Sequence, residues 1–166
     1  MISTFRPLPD GGSGMSEVTP VPYEILLVDD HPLIRQVIRK ILAQKSELTV
    51  IGELRDGLEL LDCLKKRLPH LIILDISMPH LGGIEATRRI KSSHPEIKVL
   101  ILTLHSHREY ADQASLAGAE GYLVKDEMDK ELLPAIETLR RGGTYLSPLL
   151  MEKGSSRPLM PGMLTW

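Results

Sequence analysis

The residues best suited to do chemistry are three aspartates that each follow a short apolar run. Asp75 comes directly after residues 71–74, four consecutive aliphatic residues that fit a strand buried on both faces. Asp29 and Asp30 close a similar run at residues 25–28. In open α/β sheets, ligands bind in the crevice at the carboxyl ends of the strands. If these two strands are neighbours, the three carboxylates share one small pocket.

Such a cluster of acids favours a hard metal ion. Like charges a few ångströms apart repel one another, so the cluster persists only with a cation or with protons between them. Carboxylate oxygens with room for water suit Mg²⁺ better than a soft metal. A second candidate, His105 with His107, is weaker, because a two-residue spacing without other nitrogen or sulfur ligands is more typical of exposed loop histidines.

The elements that position these acids are strand-like and helix-like runs that alternate along the chain. The predicted strands cover residues 25–28, 48–52, 71–76, 99–103 and 121–124. The predicted helices cover residues 32–45, 56–68, 108–117 and 128–141, with a further helix that begins at Gly82 and Gly83 and ends at the breakers of residues 92–95. Five strand and helix pairs in strict alternation predict an α/β fold, a doubly wound five-stranded parallel sheet with helices on both faces.

Three residues bear on how the predicted helices begin and continue. Asp56 is predicted to cap the second helix, and Asp129 is a candidate cap for the last one. Pro134 lies inside that last helix, where it removes a hydrogen bond and crowds the preceding turn. We therefore expect the last helix to be irregular in its first turn.

Composition sets bounds on the class of protein. The chain has 166 residues, and its 20 basic residues nearly balance 22 acidic ones, which leaves no overall electrostatic footprint for nucleic acid. The single cysteine, Cys63, excludes an internal disulfide and is compatible with a reducing cytosol. No apolar stretch approaches the length of about 20 residues that a membrane helix needs. We therefore expect a cytoplasmic protein without membrane contact.

Breaker-rich segments flank the alternating region. Residues 1–22 are rich in proline and glycine and are predicted to form a flexible N-terminal tail. Residues 147–166 have the composition of a linker and are predicted to form a C-terminal tail. One domain is expected between them, over residues 23–146.

The order and spacing of several short motifs carry a family resemblance. They are residues 25–30 followed by His31 and Pro32, residues 74–79 with Gly82 and Gly83, then Thr103, and finally residues 121–126. Together they resemble the receiver domain of bacterial two-component response regulators, over about residues 23–146. The resemblance implies a flavodoxin-like (βα)5 fold with strand order 2-1-3-4-5.

The resemblance also implies roles for the acids. Asp75 would be the phosphoacceptor, attacking a phosphohistidine on a sensor histidine kinase. Asp30, Asp75 and the backbone carbonyl of Ser77 would ligate Mg²⁺ directly, and Asp29 would hold a metal-bound water. The cation would offset the repulsion between the phosphoryl group and its carboxylate nucleophile.

Three further residues receive roles in the same way. Lys125 would pair with a phosphoryl oxygen, and the hydroxyl of Thr103 would donate to another. Tyr122 occupies the aromatic switch position of the family and would fill the space that Thr103 leaves on phosphorylation. The surface that changes would be formed by the fourth helix, the fifth strand and the fifth helix.

Residues 139–148 resemble the end of the receiver in NarL/FixJ-type regulators, which continue into a helix-turn-helix DNA-binding domain. That domain is expected to be absent from this chain, so DNA would be reached only through a domain outside it. The favoured interpretation is a piece of a transcription regulator, and the other is a free-standing receiver. A homodimer formed on phosphorylation is a hypothesis from the same resemblance.

Two other function classes stay open. Haloacid-dehalogenase-like hydrolases also use an aspartate nucleophile, but they place a second acid two residues later, where this chain has Ser77. A degenerate receiver that acts by protein contact alone is disfavoured by the presence of all three acids together with Thr103 and Lys125. The leading interpretation is not a turnover enzyme, since its own catalysis is limited to accepting phosphate and slowly hydrolysing it.

Overall fold

The computed structural model describes residues 20–153. Most of the expected N-terminal tail, residues 1–19, and residues 154–166 of the expected C-terminal tail lie outside the described residues. The strands are β1 (Tyr23–Val28), β2 (Leu48–Leu54), β3 (Leu71–Leu74), β4 (Lys98–Thr103), β5 (Gly121–Val124) and β6 (Tyr145–Leu146). The helices are α1 (Pro32–Leu42), α2 (Gly57–Leu64), α3 (Gly83–Ser93), α4 (Arg108–Leu116), α5 (Met128–Arg140) and α6 (Pro148–Lys153). A 3₁₀ turn over Lys125–Glu127 joins β5 to α5.

The strands form one parallel sheet in the order β2-β1-β3-β4-β5-β6. The α/β class is confirmed, but the prediction of five strands is wrong. The sixth strand pairs Tyr145 with Gly121 and Leu146 with Tyr122 along the free edge of β5. Two residues are too few to give a periodic pattern, so this strand depends on a partner distant in sequence.

The central strand β3 shows why the sheet is buried on both faces. Its four residues are at most 2% exposed, and alternate side chains enter two different hydrophobic clusters. Leu71 and Ile73 pack with α1 and α5 on one face, whereas Ile72 and Leu74 pack with α2, α3 and α4 on the other. This double burial accounts for the continuous aliphatic run.

Several predicted boundaries change. Strand β2 continues to Leu54, and helix α1 ends at Leu42 rather than at residue 45. Helix α2 ends at Leu64 rather than at residue 68, because the next amides turn back onto the carbonyls of Asp62 and Cys63. The predicted cap of this helix is confirmed, since Asp56 Oδ1 accepts hydrogen bonds of 2.8 and 2.9 Å from the first turn.

The start of helix α5 differs from the prediction. Its N-cap residue is Glu127, without a side-chain capping bond, so the assignment of Asp129 as the cap is wrong. The irregular backbone lies in the 3₁₀ turn before Met128, and Pro134 sits within an otherwise continuous helix. The helix ends at Arg140, and Gly142 follows it with a φ of 88°, a conformation that suits glycine after a helix.

Packed structure continues beyond residue 146. Ser147 is fully buried, and Leu150 of helix α6 is 1% exposed within the cluster that also contains residues of α4. The linker-like composition of residues 147–166 did not indicate this helix. No helix in the part of the chain that the structure describes is long and apolar enough to cross a membrane.

Candidate functional site

Neighbouring strand ends bring the acids together. Val28 of β1 pairs with Leu74 of β3, so the residues that follow these strands, Asp29 and Asp75, are adjacent at the carboxyl edge of the sheet. Asp30 comes next along the chain. One oxygen from each of the three carboxylates, together with a ring nitrogen of His31, lies within a group whose atoms are all within 4.8 Å of one another. The shared pocket is the geometry that the strand ends predicted.

A buried lysine faces two of these acids. Lys125 follows β5 directly, and its Nζ lies 2.7 Å from Asp29 Oδ2 and 3.5 Å from Asp75 Oδ2. The three residues are each at most 5% exposed. Buried like charges of this kind are tolerable only with a compensating cation, and the ammonium group supplies one.

The environment of Asp75 disfavours its charged form. Burial raises the pKa of the Asp75 carboxyl above its ordinary value, and the nearby Asp29 carboxylate adds to this effect. The Lys125 ammonium opposes it, as does the amide of Ile76, which donates a 2.8 Å hydrogen bond to Asp75 Oδ1. Burial and Asp29 therefore raise the pKa of Asp75, the Lys125 ammonium and the Ile76 amide lower it, and burial has the largest effect.

Asp30 offers an oxygen that no described residue satisfies. His31 Nδ1 lies 3.0 Å from both Asp29 Oδ1 and Asp30 Oδ1, but a ring nitrogen carries one proton, and its hydrogen bond is made with Asp29. Asp30 Oδ1 is buried and has no hydrogen-bond donor among residues 20–153. An orphaned carboxylate oxygen beside two other carboxylates fits a divalent cation with oxygen ligands.

His31 also lies at this site, although the sequence motifs predicted no role for it. It directly follows the two acids in sequence and is the N-cap of α1, yet its side chain turns back onto Asp29. The backbone amide of His31 also donates to Asp29 Oδ1, at 2.8 Å. These two bonds hold the carboxylate of Asp29 in place.

The loops after β3 and β4 meet at the mouth of the site. Ser77 is exposed, and its Oγ lies 2.7 Å from His105 Nε2. Thr103 ends β4, is fully buried, and accepts a 3.3 Å hydrogen bond from the amide of His105 on its hydroxyl. His105 thus packs against the loop of Ser77. Neither it nor His107 belongs to the group of potential metal ligands found in the described chain.

Tyr122 connects β5 to the same loop. Its side chain is fully buried, and its hydroxyl donates a 2.8 Å hydrogen bond to the carbonyl oxygen of His105. Burial raises the pKa of the Tyr122 hydroxyl, so the group stays protonated and available as a donor. The structure therefore joins Tyr122 to Thr103 through a single loop residue.

Helix α3 begins very close to the loop that follows Asp75. The amide of Gly83 donates a 2.9 Å hydrogen bond to the carbonyl of Ile76. A side-chain carbon at Gly83 would overlap the carbonyl oxygen of Asp75. The sequence marked this glycine as a helix start, whereas the structure shows that it also permits the close approach that fixes the loop.

Comparison with known proteins is consistent with this geometry. The family model for the response regulator receiver domain matches residues 25–137. The transcriptional regulatory protein DegU of Brevibacillus brevis is 37% identical over 126 residues, which cover 75% of this chain and 53% of that protein. The chain thus spans about half the length of this curated relative.

Solved structures match as well. The two-component response regulator of the LuxR family from Aurantimonas sp. SI85-9A1 is 34% identical with a TM-score of 0.76, and the match covers 79% of this chain and 94% of that one. A structure of two RcsB dimers bound to two parallel DNAs is 26% identical with a TM-score of 0.76, covering 84% of this chain and 72% of that one.

Proposed function

The chain belongs to the response regulator receiver domain family, and we propose that it is a phosphorylation-controlled signalling receiver whose phosphoacceptor is Asp75. The observation that carries the proposal is the placement of the Lys125 ammonium group, 2.7 Å from Asp29 and 3.5 Å from Asp75, at the rim where three carboxylates converge. A nucleophile, neighbouring acids and a fixed positive charge are the parts that phosphoryl transfer to a carboxylate requires.

The transfer step uses the Asp75 carboxylate as the nucleophile. One of its oxygens forms a bond to phosphorus while the bond from phosphorus to the donor nitrogen breaks, and the donor imidazole leaves with the electron pair. The product is an aspartyl phosphate. The donor would be a phosphohistidine of a sensor histidine kinase.

The acids around Asp75 suit Mg²⁺. Asp30, Asp75 and the backbone carbonyl of Ser77 would hold the ion directly, and Asp29 would hold it through water. The unsatisfied oxygen of Asp30 supports this assignment. When bound, the ion would neutralise charge on the phosphoryl oxygens. His31 keeps the Asp29 carboxylate oriented by the two hydrogen bonds that it donates to Oδ1.

Lys125 and Thr103 would respond to the new phosphoryl group. That group brings about −1.5 to −2 charges, so the Lys125 ammonium group would leave Asp29 for a phosphoryl oxygen. The Thr103 hydroxyl would turn to donate to another oxygen. Tyr122 would follow, because His105 is bonded both to the Thr103 hydroxyl and to the Tyr122 hydroxyl. The face that changes would then be that of α4, β5 and α5.

Transcription regulation is the proposed output. The DegU relative is named as a transcriptional regulatory protein, and RcsB was solved as dimers bound to DNA. By analogy, phosphorylation of this chain would favour a homodimer, and DNA would be reached through a region outside the receiver fold. The net charge of −2 gives the receiver itself no general attraction for DNA.

Incubation with acetyl phosphate and Mg²⁺, followed by intact-mass measurement, tests the proposal. We expect the intact mass to increase by one phosphoryl group, and this modification should be labile. The increase should not occur when a chelator replaces Mg²⁺, nor in Asp75→Asn. Asp126→Asn is a matched control, because this exposed acid lies beside Lys125 but outside the cluster. No adduct would favour the alternative of a receiver that acts by contact alone. Multiple-turnover hydrolysis of phosphoesters would favour a hydrolase, a reading that Ser77 already opposes.

A further inference from the structure

The segment after β6 is bound tightly to the strand that carries Tyr122. Ser147 is fully buried, and its amide donates a 2.8 Å hydrogen bond to the carbonyl of Tyr122. Its hydroxyl accepts a 3.3 Å hydrogen bond from the amide of Val124. Leu150, three residues later, is buried in the core. Residues 145–151 therefore cover the free edge of β5 rather than extending away from the fold.

Glu127 holds this segment from the other side. One carboxylate oxygen accepts from the Ser147 hydroxyl, and the other accepts a 3.2 Å hydrogen bond from the amide of Leu149. Hydrogen bonds to a charged group contribute more than neutral ones. The Glu127 side chain thus binds two residues at the start of helix α6, one on each carboxylate oxygen.

Glu127 is also connected through the backbone to Lys125 of the proposed reaction site. It is the last residue of the three-residue 3₁₀ turn that begins with Lys125, and the backbone amide of Met128 closes that turn onto the carbonyl of Lys125. The Lys125 side chain ends between Asp29 and Asp75. The backbone of Lys125 is therefore connected to Glu127 through two peptide units of a closed turn.

Both routes from the proposed site end at the same residue. Lys125 is joined through the 3₁₀ turn to Glu127, whose carboxylate accepts a hydrogen bond from the Ser147 hydroxyl. The carbonyl of Tyr122 accepts a hydrogen bond from the Ser147 amide. The bond from Leu149 to Glu127 is already 3.2 Å long, so a further shift of about 1 Å would take it beyond hydrogen-bonding distance. A small movement of Glu127 can therefore break the bond to Leu149 and weaken the hold on the segment.

We propose that residues 145–151 are an intramolecular output element, held on the edge of β5 by Glu127 and loosened when Asp75 is phosphorylated. The inference rests on the proposed function, because the signal is the arrival of the phosphoryl group. It adds a defined segment that responds to this signal. The chain after residue 151 is connected to the fold through that segment. The charge drawn toward Asp75 pulls Lys125, tilts the 3₁₀ turn and withdraws the Glu127 carboxylate from Ser147 and Leu149.

Hydrogen exchange read by mass spectrometry on the full chain tests the coupling. The protein is treated with acetyl phosphate and Mg²⁺, and the same sample gives the stoichiometry of modification by intact mass. We expect the amides of residues 145–151 to exchange about tenfold faster after modification, since their local opening becomes easier. Peptides from β1 and β3 should exchange at unchanged rates.

Two variants separate coupling from simple stability. Glu127→Ala should give fast exchange of residues 145–151 before any modification and little further change after it, with normal phosphate incorporation. Glu131→Ala is the matched control: Glu131 accepts from the Tyr145 hydroxyl but lies outside the turn of Lys125. This variant should keep the response to phosphorylation.

The proposed function and the proposed coupling can be refuted by different results. Full modification of Asp75 with unchanged exchange of residues 145–151 would overturn the coupling alone. Slow exchange in Glu127→Ala would also overturn it, because Glu127 would then not be the residue that holds the segment. No mass gain would overturn the proposed function and the coupling with it.

Discussion

Replacing Lys125 with methionine should destabilise the protein in a way that Mg²⁺ can offset. Methionine is unbranched and one atom shorter than lysine, and it lacks the charge that lies 2.7 Å from Asp29 and 3.5 Å from Asp75. All three residues are at most 5% exposed, so the two carboxylates would be left buried without a cation.

The size of the effect follows from that burial. Removing one partner of a buried ion pair typically costs about 3–5 kcal/mol. Asp30 is about one-third exposed at the same rim, which admits water, and Asp75 can relieve the repulsion by taking up a proton. We therefore expect the lower end, about 3 kcal/mol. For a urea m value of about 2 kcal/mol per M, the unfolding midpoint falls by about 1.5 M.

The assay is urea unfolding of the wild type and Lys125→Met, each with a chelator and with saturating Mg²⁺. The metal ion and the ammonium group offset the same repulsion, so Mg²⁺ should stabilise the variant more than the wild type. Lys130→Met removes an exposed lysine of α5 and should change stability by less than about 0.5 kcal/mol. A Lys125→Met protein as stable as the wild type in chelator, or equal protection of both proteins by Mg²⁺, would refute the electrostatic account.

Three further substitutions test other parts of the structure. Asp75→Asn should stabilise the metal-free protein at pH 7, because burial raises the pKa of the Asp75 carboxyl and so opposes its charged form. The gain should fade as the pH falls through the raised pKa of the wild-type carboxyl, since protonation removes the same charge; urea titrations over a pH series measure it. Gly83→Ala should lower the free energy of unfolding by about 3 kcal/mol, because the new carbon overlaps the Asp75 carbonyl oxygen, and thermal unfolding checks this. Tyr122→Phe should cost about 1 kcal/mol in urea unfolding, because the carbonyl of His105 loses its donor.

Local patterns were sufficient for the central part of the fold. The aliphatic run of β3 is readable because both faces of that strand are buried. The cap at Asp56 depends on a side chain and the turn that follows it, and both are adjacent in sequence. The convergence of Asp29 and Asp75 follows once β1 and β3 are neighbours. That strand order was implied by the family resemblance and does not follow from the alternation of strands and helices.

Features that depend on distant contacts were not readable. Strand β6 has two residues and exists because the edge of β5 is free to pair with it. Helix α6 lies in a segment of linker composition, and its place is fixed by Ser147 and Leu150, whose partners are far away in sequence. The bond between Ser77 and His105 joins two loops, and no periodic pattern specifies how loops meet.

The most direct test of the central claim is to locate the phosphoryl group. Borohydride reduces an acyl phosphate to an alcohol, so treatment of the modified protein would convert the phosphorylated aspartate to homoserine, which tandem mass spectrometry of peptides can place. The account predicts homoserine at position 75 and unchanged aspartate at positions 29 and 30. Homoserine at position 29 or 30, or none at position 75 after exposure to acetyl phosphate and Mg²⁺, would contradict it.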